Sequence, residues 1–326
     1  MTVPTNTVTE HSVIGTREDL ADVIYNIAPT DTPFMNSVAR TSASQVFHEW
    51  QTDTLDAAAA NRAIEGDDPT AKTFSASTRL GNYCQISEKT VIVSGTSISS
   101  DQAGRANELS YQVARRGKEL KRDMEFALTQ NQASSAGGAG TARSLASLES
   151  WLATNKTSAG SSASGATTPG YSSGTVAAPT DASTNGTLEK TDIDAVIRSC
   201  WDNGGEPNIL MCNSGTRERI SELSGISTLQ TDANVNQKTS IIGSVDFYKS
   251  NFGVMTVQPN RFQRDATLFV LDYEMFAVAF LRDIQMFELS KTGDNEKRQM
   301  LAEYTLVSRN ELGSGKITDI DSALGS

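Results

Sequence analysis

The sequence lacks the residues and motifs on which most enzymes depend. Only two histidines, His11 and His48, occur in 326 residues, and neither is spaced with Cys, Asp or Glu as metal ligands are. There is no G-x-x-x-x-G-K-S/T phosphate loop and no G-x-G-x-x-G at a predicted strand–helix junction. We therefore predict that the chain is not an enzyme and has no catalytic, cofactor-binding or metal-binding residues.

Cysteine is scarce, and long apolar runs are missing. The three cysteines, Cys84, Cys200 and Cys212, form no C-x-x-C pair, and their odd number argues against a disulfide framework or a zinc site. We expect reduced, packed thiols in a cytosolic setting. No stretch approaches the roughly 18 apolar residues of a membrane span. Residues 1–19 lack the basic start and apolar block of a signal peptide, so we expect neither a membrane nor export.

Positive charge is in deficit. Lys and Arg total 28 against 39 Asp and Glu, which gives a net charge of −11 and a pI near 4.8. Because an acidic surface repels polyanions, a dominant nucleic-acid-binding surface is not expected.

The best match to a catalytic motif is G-x-S-x-G at 170–174, centred on Ser172. In hydrolases this motif needs a strand before it and a helix after it, and the histidine follows it in the chain. Here the motif lies in a Ser/Thr/Gly/Ala tract, and both histidines precede it. A serine hydrolase is therefore the weakest of three functional hypotheses, and Ser172 is expected in a flexible loop.

What the sequence does contain is a long helical pattern at 100–132. An apolar stripe recurs at the 3.6-residue period through Leu109, Val113, Leu120, Met124 and Leu128. Ser99 or Ser100 is expected to cap its start. The other faces interleave basic and acidic residues and predict a salt-bridged surface: Arg115, Arg116, Lys118, Lys121 and Arg122 with Glu108, Glu119, Asp123 and Glu125.

Two strand patterns, 44–50 and 79–94, flank a polar excursion of about 25 residues without an apolar face, which is long for a loop in a compact domain. Its acidic cluster has no EF-hand spacing, so a solvated loop is expected; the cluster is Asp53, Asp56, Glu65, Asp67 and Asp68. Such a loop is either disordered or held by partners.

Beyond the long helix, the pattern predicts a second helix at 141–155 and a flexible Ser/Gly-rich insertion at 156–187. A helix opening at Thr191, with Asp194 in the capping-box position, leads into a small unit of alternating helices and strands. Residues 246–248 and 254–257 of this unit predict a hairpin, and the apolar face predicted for the helix is Ile193, Val196, Ile197, Cys200 and Trp201. Strands are expected at 268–271, 276–281, 284–289 and 298–309, and the tail after Gly313 is expected to fray.

Several long stretches resemble tailed-bacteriophage major capsid proteins of the Hong Kong 97-type fold. They are GKELKRDMEFALTQNQ, TARSLASLESWLATN, the N-terminal APTDTPFMNSV, and the run from FGVMTVQPNRF to SRNELGSGKI. The resemblance implies an α+β fold with five parts: an N-terminal arm (1–45), an extended loop (46–94), a peripheral domain with a spine helix and the insertion (95–190), an axial domain (191–265), and peripheral strands with a tail (266–326).

The resemblance also implies a function. The chain is expected to self-assemble into pentamers and hexamers of an icosahedral shell that encloses double-stranded DNA without sequence-specific binding, assembled in a bacterial cytoplasm and located in the virion. Portal, scaffolding and decoration proteins are the further partners it implies. Some such shells cross-link a loop lysine to a neighbour's asparagine, and Lys72 is the one lysine of the excursion. The alternative is a surface adhesin or tail-fibre module.

Overall fold

The computed structural model describes residues 31–55, 58–66, 68, 76–100, 107–160, 170–223 and 246–322. In these ranges the α-helices are α1 (Pro33–Ser37), α2 (Gly95–Ser99), α3 (Glu108–Thr129), α4 (Leu148–Trp151), α5 (Lys190–Asp202) and α6 (Ser214–Glu222). None of them is long and apolar enough to cross a membrane. The strands are β1 (Ala39–Ser42), β2 (Phe47–Thr52), β3 (Thr78–Tyr83), β4 (Gln85–Ser94), β5 (Lys156–Ser158), β6 (Gly170–Ser172), β7 (Thr175–Ala177), β8 (Ile209–Cys212), β9 (Phe247–Ser250), β10 (Gly253–Pro259), β11 (Leu268–Leu271), β12 (Phe276–Leu289), β13 (Asn295–Ser308) and β14 (Gly315–Thr318).

A four-stranded sheet in the order β1–β12–β13–β4 carries the long helix. The two strands predicted at 276–281 and 284–289 are one strand, β12, because bulges around Arg282 absorb the break in alternation without ending the pairing with β13. The returning strand predicted at 79–94 is interrupted at Cys84: β3 pairs with β2, whereas β4 pairs with β13. The excursion 53–77 thus leaves from the β2–β3 hairpin.

The spine helix α3 packs against β4 and β13 and is shorter than predicted. It begins at Glu108 because the Asn107 side chain caps it by accepting from the amide of Ser110, so Ser99 and Ser100 are not its caps. Residues 101–106 of the predicted helix lie outside the described ranges. Leu120, Met124 and Leu128 are fully buried, as the stripe predicted. Glu125, which the pattern placed on an outer face, is buried as well.

The predicted helix at 141–155 is a single turn, α4, although its apolar residues are buried as expected. The chain before it folds back on itself through bridges between Ser135 and Ser144 and between Gly138 and Thr141. The Ser147 hydroxyl bonds the Gln132 backbone, and these contacts hold the segment extended.

A six-stranded sheet has the order β5–β14–β11–β8–β10–β9. On one face it shares a core with the apolar side of α5, through Ile193, Val196, Ile197 and Cys200, and with Ile220 of α6. Helix α5 is capped two residues earlier than predicted: Glu189 is its N-cap, and Asp192 accepts from the Glu189 amide. Trp201, predicted on the buried face, is 54% exposed.

Two segments expected to be mobile belong to this part of the fold. The tail after Gly313 forms the inner strand β14, whose residues Gly315, Lys316 and Ile317 are buried. In the Ser/Gly-rich insertion, β5 pairs with β14, and Val176 of the β6–β7 hairpin is buried. Backbone pairing needs no apolar composition, so composition was a poor guide here. Residues 161–169 of the insertion lie outside the described ranges.

Candidate functional site: a polar junction and the exposed faces around it

The structure gives Ser172 no catalytic setting. It ends the short strand β6 and is followed by the positive-φ residues Ser173 and Gly174, so the motif forms a hairpin turn in place of a strand-to-helix elbow. His48 lies on β2 beside Trp50, and burial lowers its pKa. His11 lies outside the described residues.

The remaining candidate groups are also placed as packing or surface residues. Of the acidic cluster, Asp53, Glu65 and Asp68 are described and exposed, whereas Asp56 and Asp67 are not described. No group of three or more His, Cys, Asp or Glu residues suited to a metal occurs in the described ranges. All three cysteines are buried and free, as predicted. Burial raises the pKa of Cys84 to about 11 and those of Cys200 and Cys212 to about 12.

The loop 260–265, which follows β10, is a polar junction between the spine helix and the six-stranded sheet. The Phe262 carbonyl accepts from the Thr129 hydroxyl at 3.3 Å and from Gln130 Nε2 at 2.7 Å, at the end of α3. Two turns earlier on α3, the Arg122 guanidinium lies 5.3 Å from the centre of the Phe262 ring. The Gln263 side chain donates to the Met211 carbonyl of β8 at 3.1 Å. The loop therefore fixes the helix relative to the sheet.

A second contact of this junction is the buried carboxylate of Glu125. Its Oε1 accepts from the backbone N–H of Phe34 and from Asn260 Nδ2, and its Oε2 accepts from the N–H of Met35, each at 2.8 Å. Burial raises the pKa of Glu125, and these three hydrogen bonds oppose that shift. One side chain of α3 thus joins the N-terminal segment to the loop 260–265.

A third contact is a charge network around the buried Glu149. Arg264 donates to Glu149 Oε1 at 2.9 Å and to Asp181 Oδ2 at 2.6 Å. Lys316 of β14 is buried and donates from Nζ to the Glu149 backbone carbonyl at 2.5 Å. Desolvation lowers the pKa of Lys316 to about 8, although the Glu149 charge opposes this. The network ties α4, the insertion and β14 to the junction.

A fourth group of charges supports the long β12–β13 ribbon. Glu303 of β13 is buried and pairs with Arg143 at 2.6 Å and with Arg282 at 2.8 Å. Because Arg282 lies at the bulges of β12, this pair braces the ribbon where its register shifts. Both arginines keep part of their surface in solvent.

The outer face of α3 carries the interleaved charges that its sequence pattern indicated, with cations in excess. Glu119 pairs with both Arg115 and Arg116, and Asp123 pairs with Lys89 of β4. Lys118 and Lys121 are exposed. The predicted salt-bridged face is confirmed in part, since Glu125 is buried, and the carboxylates that remain do not balance the cations.

Exposed apolar residues occur in the excursion and at the β9 edge of the six-stranded sheet, as well as on β4, α3 and β12. In the excursion, Leu55 is 99% exposed and Ile64 is 78% exposed. On the edge strand β9, Phe247 is 65% exposed, and on its neighbour β10, Val254 is also exposed. At the tip of that hairpin, the Phe252 ring packs against the Trp201 ring, with ring centres 5.4 Å apart, and both side chains remain partly exposed to solvent. These residues are apolar surface for a partner to cover.

Sequence reasoning missed Glu125, Arg264 and Lys316. For Glu125 a signal existed, because on a helical wheel it lies beside the buried Met124 and Leu128. No local signal marks Lys316 or Arg264, whose partners lie far away in the sequence.

Comparison with known proteins gives consistent results. The sequence matches the family model described as SU10 major capsid protein over residues 3–321. The major capsid protein of Escherichia phage Phieco32 is 27% identical, and the match covers 92% of this chain and 93% of that protein.

Solved structures share the fold at low sequence identity. The capsid asymmetric unit of cyanophage A-1(L) gives a TM-score of 0.67 at 12% identity, covering 96% of this chain and 98% of that one. The native GTA particle capsid, computed with C5 symmetry, gives 0.61 at 12% identity, covering 98% and 100%. The predicted α+β fold of the Hong Kong 97 type is confirmed.

Proposed function

Because this chain belongs to the family of SU10-type major capsid proteins of tailed phages and is located in the virion capsid, we propose that it assembles into pentamers and hexamers of a closed icosahedral shell. Its role is structural, without catalysis. The comparisons favour this function over the adhesin or tail-fibre alternative.

The observation that carries the proposal is the exposure of Leu55 and Ile64. Both lie in the excursion 53–77, whose described residues form no helix or strand, and neither belongs to a core of its own chain. Because these two side chains are so exposed within their own subunit, they contribute little burial of apolar surface to its stability. A second copy that buries them gains roughly 1.5–3 kcal/mol for each side chain.

The charges of the excursion and of the outer face of α3 are complementary, which indicates where this loop docks on a neighbouring copy. The excursion carries five acidic residues, the Asp53–Asp68 cluster predicted above, against Arg62 and Lys72. The outer face of α3 carries the cations Arg115, Arg116, Lys118 and Lys121, only partly neutralised by Glu119. In a chain of net charge −11, this basic surface attracts an acidic loop. We place the extended loop of one copy on the α3 outer face of the next. Such a head-to-tail contact forms a ring when the rotation from one copy to the next closes, as a pentamer or hexamer requires.

Charge reversal on the helix tests this contact. The double variant Lys118→Glu/Lys121→Glu is expected to leave the subunit folded, by circular dichroism, and to lower the yield of closed particles, counted by electron microscopy. The compensating variant Glu65→Lys/Asp68→Lys, in the same chain, is expected to restore particles. The matched control is Lys190→Glu/Arg198→Glu on α5, which makes the same charge change on another exposed helix face.

Two results would count against the proposed contact. Normal particle yield from the α3 variant would show that the loop docks elsewhere. An equal loss of particles in the α5 control would show that net charge, and not this contact, governs assembly.

Further parts of the proposal concern what the shell encloses and binds. The acidic balance suits an inner wall that repels packed double-stranded DNA and makes no sequence-specific contact with it. Portal, scaffolding and decoration proteins are proposed partners. Finding double-stranded DNA in purified particles, and its ready release when shells are disrupted at low salt, is the expected result.

The division into arm, loop, peripheral and axial parts is also a proposal. We assign the four-stranded sheet with α3 to the peripheral part and the six-stranded sheet with α5 and α6 to the axial part. On this assignment β5, β11 and β14, which lie outside 191–265 in sequence, contribute to the axial sheet.

A further inference from the structure

Helix α1 is capped by a side chain from another part of the chain. Its own N-cap residue, Thr32, makes no side-chain capping bond, and Pro33 takes one of the first positions. The next two amides, those of Phe34 and Met35, donate to the two oxygens of Glu125 on α3. Two N–H groups at the start of this short helix, which have no partner within the helix, therefore find their acceptor in a side chain 90 residues away from Met35 in the sequence.

The Glu125 carboxylate is itself dependent on these donors. It is fully buried, and a carboxylate held away from water is costly unless hydrogen bonds stabilise its charge. Its third donor, Asn260 Nδ2, belongs to the junction loop 260–265. When any one of the three donors is removed, the Glu125 side chain is fixed less firmly in its place. Its hydrogen bonds to the other two donors are then weaker as well.

The segment 31–42 has few other attachments to the body. Phe34, Met35 and Val38 insert into the main core. The following strand β1 is exposed along its whole length and pairs with β12 alone, from Ala39 opposite Ala277 to Ser42 opposite Phe280. Core insertion and the Glu125 bonds thus fix this edge segment.

We propose that residues 31–42 form a strap that docks on the body or leaves it as a unit, and that Glu125 is the positioning residue that sets the balance and couples it to the loop 260–265. When the strap leaves, Glu125 loses two of its three donors, and Asn260 loses its fixed acceptor. The junction between α3 and the six-stranded sheet then loosens. A single carboxylate, that of Glu125, thereby couples two events. These are the docking of the strap on the body and the packing of α3 against the six-stranded sheet.

Hydrogen exchange of the unassembled full-length protein, followed by mass spectrometry, tests this coupling. In Glu125→Gln, one oxygen is replaced by a group that cannot accept. Peptides covering 32–42 and 260–267 are expected to exchange about tenfold or more faster than in the wild type, as expected for loss of a hydrogen bond to a charged group. Peptides in β12 and β13 beyond residue 282 are expected to keep their rates.

A second variant separates coupling from direct contact. Asn260→Ala leaves every atom of the strap unchanged, so faster exchange at 32–42 in this variant reports coupling through Glu125. The matched control is Glu119→Gln, a carboxylate on the same helix that bonds only arginines of that helix. Glu119→Gln is expected to leave the exchange rates of the peptides covering 32–42 and 260–267 at their wild-type values.

The proposal is overturned by either of two patterns. Wild-type exchange at 32–42 in both Glu125→Gln and Asn260→Ala would show that Glu125 does not hold the strap. Equal acceleration of all peptides, β12 and β13 included, would show that Glu125 only supports global stability.

Discussion

Replacing Lys316 by methionine is expected to remove a gain in stability that the wild-type protein acquires between pH 8 and pH 10.5. Lys316 lies on the inner strand β14, opposite Phe269 of β11 and Lys156 of β5, and is 1% exposed. Its Nζ bonds the Glu149 backbone carbonyl. Burial makes the ammonium form costly, and for that reason its pKa lies near 8 instead of its ordinary 10.5.

The sign of the pH effect follows from proton binding. Between pH 8 and pH 10.5 the unfolded chain keeps the Lys316 proton while the folded chain has released it. Stability therefore rises with pH across this window and is lost as pH falls from the unfolded pKa to the folded one. With about 1.36 kcal/mol for each pKa unit, the full gain is about 3 kcal/mol.

The measurement is urea unfolding of unassembled protein, followed by tryptophan fluorescence, at several pH values from about 7 to about 10.5. The difference in unfolding free energy between wild type and Lys316→Met is expected to shift by about 3 kcal/mol in favour of the wild type across this range. Other titrating groups are common to both proteins. The control is Lys156→Met, whose lysine is exposed on the neighbouring strand and is expected to show no such shift.

A constant difference between wild type and Lys316→Met at every pH would refute the reasoning. It would mean that the buried amine titrates near its ordinary pKa, so that desolvation is offset by the Glu149 charge. A difference that shifts in the opposite direction would mean that the Glu149 charge outweighs desolvation and raises the pKa.

Two further predictions concern buried groups elsewhere. Leu120→Asp places a charge in the apolar stripe of α3, where Leu120 is fully buried, and is expected to block folding or assembly; normal particles in electron micrographs would contradict the packing of α3. Glu303→Gln leaves Arg143 and Arg282 without their shared carboxylate. Because both arginines stay partly in solvent, the expected cost in urea unfolding is about 1.5–3 kcal/mol; a cost below about 1 kcal/mol would show that solvent replaces the pair.

Local periodicity predicted those parts of the fold whose partners are close in sequence. The stripe of α3, the apolar face of α5 and the β9–β10 hairpin follow from side-chain spacing alone, and the structure has all three. Their boundaries shifted where a single side chain decided the cap, as Asn107 did for α3. The division into capsid parts came from resemblance and not from periodicity.

Parts that depend on distant pairing were predicted wrongly. Strand β14 is short and polar at Lys316 and Thr318, yet pairing on both sides with β11 and β5 orders it. The insertion reads as disordered by composition, but Val176 fills a place in the main core and Asp181 binds Arg264. Glu125 is a partial exception, because its helical-wheel position beside Met124 and Leu128 suggests burial, but its partners at Phe34, Met35 and Asn260 are far away in the sequence.

The strand order of the six-stranded sheet has a consequence for the timing of folding. Strand β14 (Gly315–Thr318) lies between β5 (Lys156–Ser158) and β11, so the edge strand β5 gains its neighbour only after a further long stretch of chain has left the ribosome. Pairings that span such long sequence separations form late. A nascent chain therefore carries an incomplete sheet through most of its synthesis. Until β14 is in place, β5 and β11 each lack a neighbour, and unpaired strand edges of this kind leave copies on one polysome open to pairing with one another.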